Sequence, residues 1–235
     1  MDLTEYSARH RHFLTTTLPP LLADVARPGV IADLGCGDGA VLWALHRHGL
    51  LGETTFAVDL SPERVRHAES VAPGVKGIVA SAERVSALDD AAVDGVILSQ
   101  VIEHVQDERS VVAEIARILR PGGWWYIGTV MRGRHAWWIY DVDGERRLDP
   151  THVREYRTRL EFQQAIQHPE LVVGEIRTKP MRFPVSDLAL RAAARAGFAA
   201  HSDEIYMRHG RLEKLRHLQL RVPGYFLLEG AGLRI

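Results

Sequence analysis

The sequence predicts an α/β protein built on a doubly wound, mostly parallel sheet. Two observations carry that expectation. From Val30 to Val130 short apolar runs alternate with amphipathic segments, and a glycine-rich turn, Gly35-Cys36-Gly37-Asp38-Gly39, lies between the first apolar run and the amphipathic stretch after it. Strands separated by helical patterns pair in parallel through right-handed crossovers.

The elements follow in chain order. Residues 5–26 carry Phe13, Leu14, Leu18, Leu21, Leu22 and Val25 at helical spacing, interrupted by Pro19 and Pro20. Val30–Leu34 reads as a strand and Ala40–His48 as a helix. Thr55–Leu60 is a strand, Pro62–Val71 a helix and Gly77–Ala80 a short strand. Val93–Ser99, Arg109–Leu119 and Trp124–Val130 complete the alternation as strand, helix and strand. Met131–Tyr156 is polar and rich in Arg, Asp and His, and a loop of that length in a compact domain is usually a lid or a substrate wall. Beyond it, Thr158–Gln167 is expected to be helical, Leu171–Arg177 extended, Val185–Ala196 and Asp203–Leu218 helical, and Tyr225–Leu233 a last antiparallel strand.

Composition narrows the function classes. The 235 residues suit one domain, expected as a lid segment (1–27), a cofactor-binding core (28–130) and a substrate loop or cap with the last strands (131–235). A formal net charge of −1 gives no global field to draw nucleic acid or an acidic membrane. No stretch approaches the roughly 18 apolar residues of a membrane span, and MDLTEYSARH lacks the basic start and apolar run of a signal peptide, so a cytoplasmic protein is expected. The single cysteine, Cys36, excludes an internal disulfide and a thiolate zinc cluster. Nothing in the sequence speaks to oligomeric state.

The glycine turn formally satisfies the dinucleotide pattern through Gly35, Gly37 and Ala40. The acids around it argue for a different ligand. Asp33 lies near the end of the strand and Asp38 at the start of the next helix, where it can act as N-cap and occupy the site a phosphate would take. A pyrophosphate would meet like charge there, whereas a cation would not. The ligand best matched needs close backbone approach, lacks phosphate and carries positive charge. About 20 residues past the loop, Asp59 closes the second strand, where a carboxylate can accept ribose hydroxyls.

The run Asp33-Leu34-Gly35-Cys36-Gly37-Asp38-Gly39 resembles the first motif of class I S-adenosylmethionine-dependent methyltransferases, of the small-molecule branch. Val58-Asp59-Leu60-Ser61 resembles their second motif, and Leu119-Arg120-Pro121-Gly122-Gly123 their turn before the fifth strand. The resemblance spans about residues 28 to 130. It implies a Rossmann-like seven-stranded sheet with an N-terminal lid helix and an insertion after strand five, S-adenosylmethionine as cofactor and methyl transfer as the reaction. It also implies cofactor contacts at Asp33, Gly35, Cys36, Gly37, Asp59, Leu60, Ser81, Ala82, Glu83, Ser99 and Gln100. Where the family often has an Asp for the adenine amino group, this chain has Ser81, with Glu83 two positions on.

The chemistry is expected beyond the fourth strand, since ligands of open α/β sheets sit at the carboxyl ends where strand order reverses. His104, with an ordinary pKa of about 6.5, suits a general base for a hydroxyl acceptor, and His152 is the second catalytic candidate. A metal-free site is the default reading. Ubiquinone-pathway O-methyltransferases and small-RNA 2′-O-methyltransferases, however, carry Glu-x-x-Glu-His here and bind a divalent metal. This chain reads Gln100-Val101-Ile102-Glu103-His104, so Glu103, His104 and His152 are the residues to hold one. Trp137, Trp138 and Tyr140 are candidates to wall a planar substrate, and Arg132, Arg134, Arg146 and Arg147 to meet an anionic group. Tyr6, Arg9, His10 and His12 are candidates to reach in from the lid. The partner expected is a small-molecule acceptor, methylated at oxygen before nitrogen, with no membrane and no nucleic acid. The alternatives are a nicotinamide-dependent oxidoreductase, a metal-assisted RNA 2′-O-methyltransferase, and a module that binds S-adenosylmethionine without using it.

Overall fold

The computed structural model describes residues 17–52, 54–136, 140–142, 144–149, 151–185 and 218–235. Its centre is a seven-stranded sheet of order β3-β2-β1-β4-β5-β9-β8. The strands are β1 (Ile31–Leu34), β2 (Thr55–Asp59), β3 (Val75–Val79), β4 (Val93–Ser99), β5 (Leu119–Arg132), β8 (Leu171–Pro184) and β9 (Gln219–Arg234). β1 to β5 pair in parallel; β9 runs antiparallel to both β5 and β8. The doubly wound, mostly parallel architecture expected from the alternation is what forms.

Two-sided burial explains why the strands read as continuous apolar runs rather than alternating ones. Along β1, Ala32 and Leu34 enter one core while Ile31 enters the other; along β4, Val96 and Leu98 oppose Ile97; along β5, Trp125 and Ile127 oppose Trp124 and Tyr126. The first core is closed by α4 (Glu108–Ile118), through Val111, Val112, Ile115 and Ile118, and by α5 (Arg159–Ala165) through Phe162. The second is closed by α1 (Pro20–Val25), α2 (Ala40–Arg47) and α3 (Pro62–Glu69). Among the described residues no helix is long and apolar enough to cross a membrane.

Several boundaries differ from the sequence reading for identifiable reasons. Among the described residues the N-terminal segment is helical from Pro20, because Pro19 is extended and Pro20 can take a first helical position without an N–H. Residues 1–16 lie outside the description, and with them the expected lid contacts of Tyr6, Arg9, His10 and His12. α1 is tied to the sheet by a hydrogen bond of 3.0 Å from Leu21 N to the buried Glu229 carboxylate and by the Asp24–Arg177 ion pair at 2.7 Å. β8 continues past Arg177 despite Pro180 and Pro184, which an edge strand tolerates on its unpaired side. Residues 131–156 contain a hairpin, β6 (Tyr140–Val142) and β7 (Glu145–Arg147), too short to show a period of two. The helices expected over 185–196 and 203–218 fall almost wholly outside the described residues.

One buried ion pair supports the wall of the crevice where strand order reverses. Glu114, 3% exposed on α4, accepts 2.7 Å hydrogen bonds from Val85 N and Arg117 Nη2 at one oxygen and a 2.8 Å bond from Arg117 Nε at the other. It thereby anchors the segment between β3 and β4. Burial alone would raise its carboxyl, but the Arg117 and Val85 hydrogen bonds and the charges of Arg117 and Arg84 prevail and hold it below the ordinary range. Glu114→Ala is expected to cost about 1–3 kcal/mol, since Val85 N loses its acceptor while Arg117 keeps its ion pair with the exposed Asp90. Because the folded carboxyl is depressed, its contribution is present at neutral pH and lost as pH falls through the depressed value. Urea melts of wild type and variant should therefore converge on acidification.

Candidate active site

β1 ends in a turn whose backbone leaves no room for side chains. Gly35 and Cys36 donate to the Val58 carbonyl at 2.7 and 2.9 Å, which pins the turn to β2. Gly35 has φ 75°, and a Cβ on it would stand 2.3 Å from Val101 Cγ2. Gly39, φ 83°, is the N-cap of α2, a left-handed position that glycine fills without strain. This corrects the expectation for Asp38, which lies one residue too early to cap. Its carboxylate meets His67 Nδ1 of α3 at 3.0 Å instead.

The acids near the turn differ in state. Asp59 accepts from Gly37 N at 3.1 Å with one oxygen and from Ser61 N at 2.9 Å with the other, so it braces the loop and retains lone pairs on both atoms. Asp33 is 1% exposed and its Oδ2 has no hydrogen-bond partner; burial, reinforced by Asp59, pushes its pKa up to about 7. Burial with Asp33 and Asp59 nearby also pushes the Cys36 thiol far up, as befits a filler between glycines.

A cavity of about 710 Å³ opens over this turn. Every cofactor residue named from the sequence borders it: Asp33, Gly35, Cys36 and Gly37 from the turn, Asp59 and Leu60 from β2, Ser81, Ala82 and Glu83 after β3, and Ser99 and Gln100 at the end of β4. Ser81 Oγ accepts from Glu83 N at 3.2 Å, while Glu83 Oε1 accepts from Asp107 N at 3.2 Å, which ties the segment to the start of α4. Gln100 takes φ 58°, uncommon for a residue with a side chain, and its Nε2 is buried without a partner.

The other end of the cavity brings His104 and His152 together, 48 positions apart in the numbering, with ring centroids 4.9 Å apart in an edge-to-face arrangement. Arg154 draws the two segments together: it donates to the carbonyls of Ile102 at 2.8 Å, Val105 at 2.6 Å and Gln106 at 2.8 Å. Val153 N and Arg154 N bond the Glu103 carbonyl. Glu103, fully buried, accepts from Thr129 Oγ1 at 2.8 Å through Oε2 and leaves Oε1 without a partner. Donor atoms of Glu103, His104 and His152 all lie within 4.8 Å of one another. His152 Nδ1 pairs with Glu155 Oε1 at 2.9 Å; burial opposes its charge, but that bond and the carboxylates of Glu103, Asp149 and Glu155 prevail and raise its pKa. Two imidazoles and a carboxylate with an unsatisfied oxygen form a donor set that fits a divalent cation.

Other expectations meet a different outcome. Arg147 donates to the His152 carbonyl and Arg132 approaches Glu155 at 3.7 Å, so both brace the 147–155 loop and neither borders the cavity. Trp137 and Trp138, and the side chains of Tyr140 and Arg146, lie outside the described residues. Sequence reasoning missed Asp149, Thr151, Glu155 and Thr129, which hold the histidines and Glu103. The Asp-Pro-Thr run is a turn signature that could have drawn attention to the first two. It also missed Val130, Leu148 and Met181, which line the cavity but carry no chemical mark in the sequence.

Residues 32–127 match the model of the methyltransferase domain family. Over this core the chain is similar to methyltransferase domains. Similar proteins include the ubiquinone biosynthesis O-methyltransferase of Xanthomonas campestris pv. campestris, 32% identical over 142 residues, 57% of this chain and 58% of that one. That of Paracidovorax citrulli is 32% identical over 120 residues, 49% of each. The match thus spans about half the length of these curated relatives. Solved structures with the same fold include the YcgJ protein from Bacillus subtilis, at TM-score 0.63 and 19% identity over 92% of this chain and 97% of that one. Another is a geranyl diphosphate C-methyltransferase from Streptomyces coelicolor, at TM-score 0.57 and 16% identity over 92% and 76%.

For a methyltransferase domain the raised Asp33 has a consequence. Stability linked to its protonation is fullest in acid, below the ordinary carboxylate range, and declines as pH rises through about 7. A ligand bearing an ammonium favours the ionised form. S-adenosylhomocysteine should therefore bind more tightly as pH rises from 6 to 8, by about tenfold in all and levelling off above 7, with proton release in calorimetry. Asp33→Asn should bind weakly and without that slope; an equal slope in the variant would assign the proton elsewhere.

Proposed function

We propose that this protein transfers the methyl group of S-adenosylmethionine to a hydroxyl oxygen of a small-molecule acceptor. The observation that carries the reading is the convergence of Glu103, His104 and His152 at the end of β4, in the same cavity as the glycine turn. The names of the Xanthomonas and Paracidovorax relatives support oxygen as the acceptor atom.

In this reading Asp59 receives the ribose hydroxyls, Ser81, Ala82 and Glu83 flank the adenine, and Asp33 with the bare backbone at Gly35 and Gly37 faces the ammonium end. When bound, S-adenosylmethionine supplies a sulfonium-activated methyl group. The protein's task is to align the acceptor oxygen with it at near-attack distance and to remove the hydroxyl proton. His104 borders the cavity and takes that proton, and the Glu103 carboxylate offsets the positive charge that forms on the ring. Val130, Leu148 and Met181 give the acceptor an apolar wall, which suits a hydroxylated ring or chain better than a sugar phosphate. A divalent cation held by Glu103, His104 and His152 would act as a Lewis acid on the acceptor oxygen, an alternative to His104 as the base because its Nε2 would then be a ligand. The formal charge of −1 gives no net field to draw an RNA acceptor.

Transfer of labelled methyl should be detected with hydroxylated aromatic acceptors and exceed that to matched amines and to RNA. His104→Ala should lower kcat by about 10²–10⁴-fold with cofactor affinity retained. Labelling of amines alone would move the reaction to nitrogen, and no transfer to any acceptor would leave only a binding module.

A further inference from the structure

The base proposed above must present a lone pair to the acceptor, and the loop after β7 contains a chain of groups that settles which ring nitrogen does so. Thr151 Oγ1 lies 2.6 Å from Asp149 Oδ1, which also accepts from Thr151 N at 2.9 Å. A carboxylate only accepts, so the hydroxyl proton points to Asp149. The same hydroxyl stands 3.0 Å from His104 Nδ1, and having given its proton to Asp149 it can only accept there. The Thr151 carbonyl, 3.3 Å from the same nitrogen, is likewise an acceptor alone. Both neighbours of Nδ1 therefore require it to carry the hydrogen, which leaves Nε2 bare for the cavity that His104 borders.

We propose that Thr151 is a positioning residue for methyl transfer: with Asp149 behind it, its hydroxyl holds His104 in the Nδ1–H tautomer and aims an unprotonated Nε2 at the acceptor hydroxyl. The inference rests on the reading of His104 as the base, but the tautomer itself is a property of the protein alone. In the transfer step the acceptor O–H bond breaks, its proton passes to Nε2, and the oxygen pair forms the new bond to carbon as the sulfonium bond breaks to leave a neutral thioether. The imidazolium so formed has Asp149 behind its Nδ1–H through Thr151, with Glu103 and His152 as the other ionisable groups beside it. Asp149 is suited to the role because its Oδ1 accepts from both the hydroxyl and the backbone N–H of Thr151. Glu155 repeats the arrangement at His152, where a carboxylate on Nδ1 again leaves Nε2 for the cavity.

The test reads the tautomer directly. Full-length protein labelled with ¹⁵N-histidine is observed by long-range proton–nitrogen correlation at pH 8.5, with chelator present, and His104→Gln identifies the His104 signals. Wild type is expected to show a protonated Nδ1 and a bare Nε2. Thr151→Val should give a mixed or reversed tautomer and a kcat lower by about 10–100-fold with KM for S-adenosylmethionine unchanged, and Thr151→Ser should restore both. Retained S-adenosylhomocysteine binding by Thr151→Val establishes that the fold is intact. A wild-type ring with its proton on Nε2, or a Thr151→Val ring with the wild-type tautomer, overturns the relay. If no acceptor is turned over, the methyl-transfer reading fails separately, while the wild-type and Thr151→Val spectra still decide the relay.

Discussion

Gly35 and Val101 touch at the point where the order of strands reverses, and the site is organised around that contact. β1 pairs with β2 on one side and β4 on the other, so the residues leaving β1 and β4 meet over the same crevice. The approach is close enough that a Cβ on Gly35 would fall 2.3 Å from the Val101 side chain. Core packing does not yield by such amounts without strain elsewhere. The glycine turn is therefore held beside the segment carrying Gln100, Glu103 and His104. That places a cofactor-shaped backbone and a set of proton-handling side chains within one cavity, which is the arrangement that in-line group transfer needs.

The cavity gathers acids in places where water is excluded. Asp33 and Glu103 are buried with an oxygen each left unpartnered, and Asp33 has answered by becoming a weak acid. In a low-dielectric pocket such groups are costly until something positive completes them. In the proposed reaction the cofactor would supply an ammonium and a sulfonium, and His104 an imidazolium. This reading refines the electrostatic contrast between a sulfonium nucleoside and a pyrophosphate. Asp33 is not a permanently charged barrier to phosphate; it is a carboxyl whose ionisation burial opposes and a neighbouring cation favours.

The second half of the site depends on a segment from a different part of the chain. His152 reaches His104 because Arg154 satisfies the carbonyls of Ile102, Val105 and Gln106, and because Val153 and Arg154 bond the Glu103 carbonyl. The loop thus serves as a framework for the two histidines. Its arginines, which the sequence offered as anion-binding groups, are used in that framework: Arg147 on the His152 carbonyl, Arg132 on Glu155, Arg154 on β4's exit.

What the sequence determined by itself was everything governed by local pattern. The apolar runs at Val30, Thr55 and Val93, the prolines opening α1 and α3, and the glycines of the first turn each follow from short-range sterics and periodicity, and they led to the sheet, the turn and the residues bordering the cofactor end. His104 and His152 were legible as candidates because histidine is rare in chemical kind. Only the tertiary structure decided what surrounds them. That Gly39 rather than Asp38 caps α2 depended on a φ of 83°. That Asp38 meets His67, Thr151 lies between Asp149 and His104, and Met181 walls the cavity depended on packing between segments 29 to 48 positions or more apart. Such contacts are set by the summed geometry of a folded core, and no window of neighbouring residues contains them.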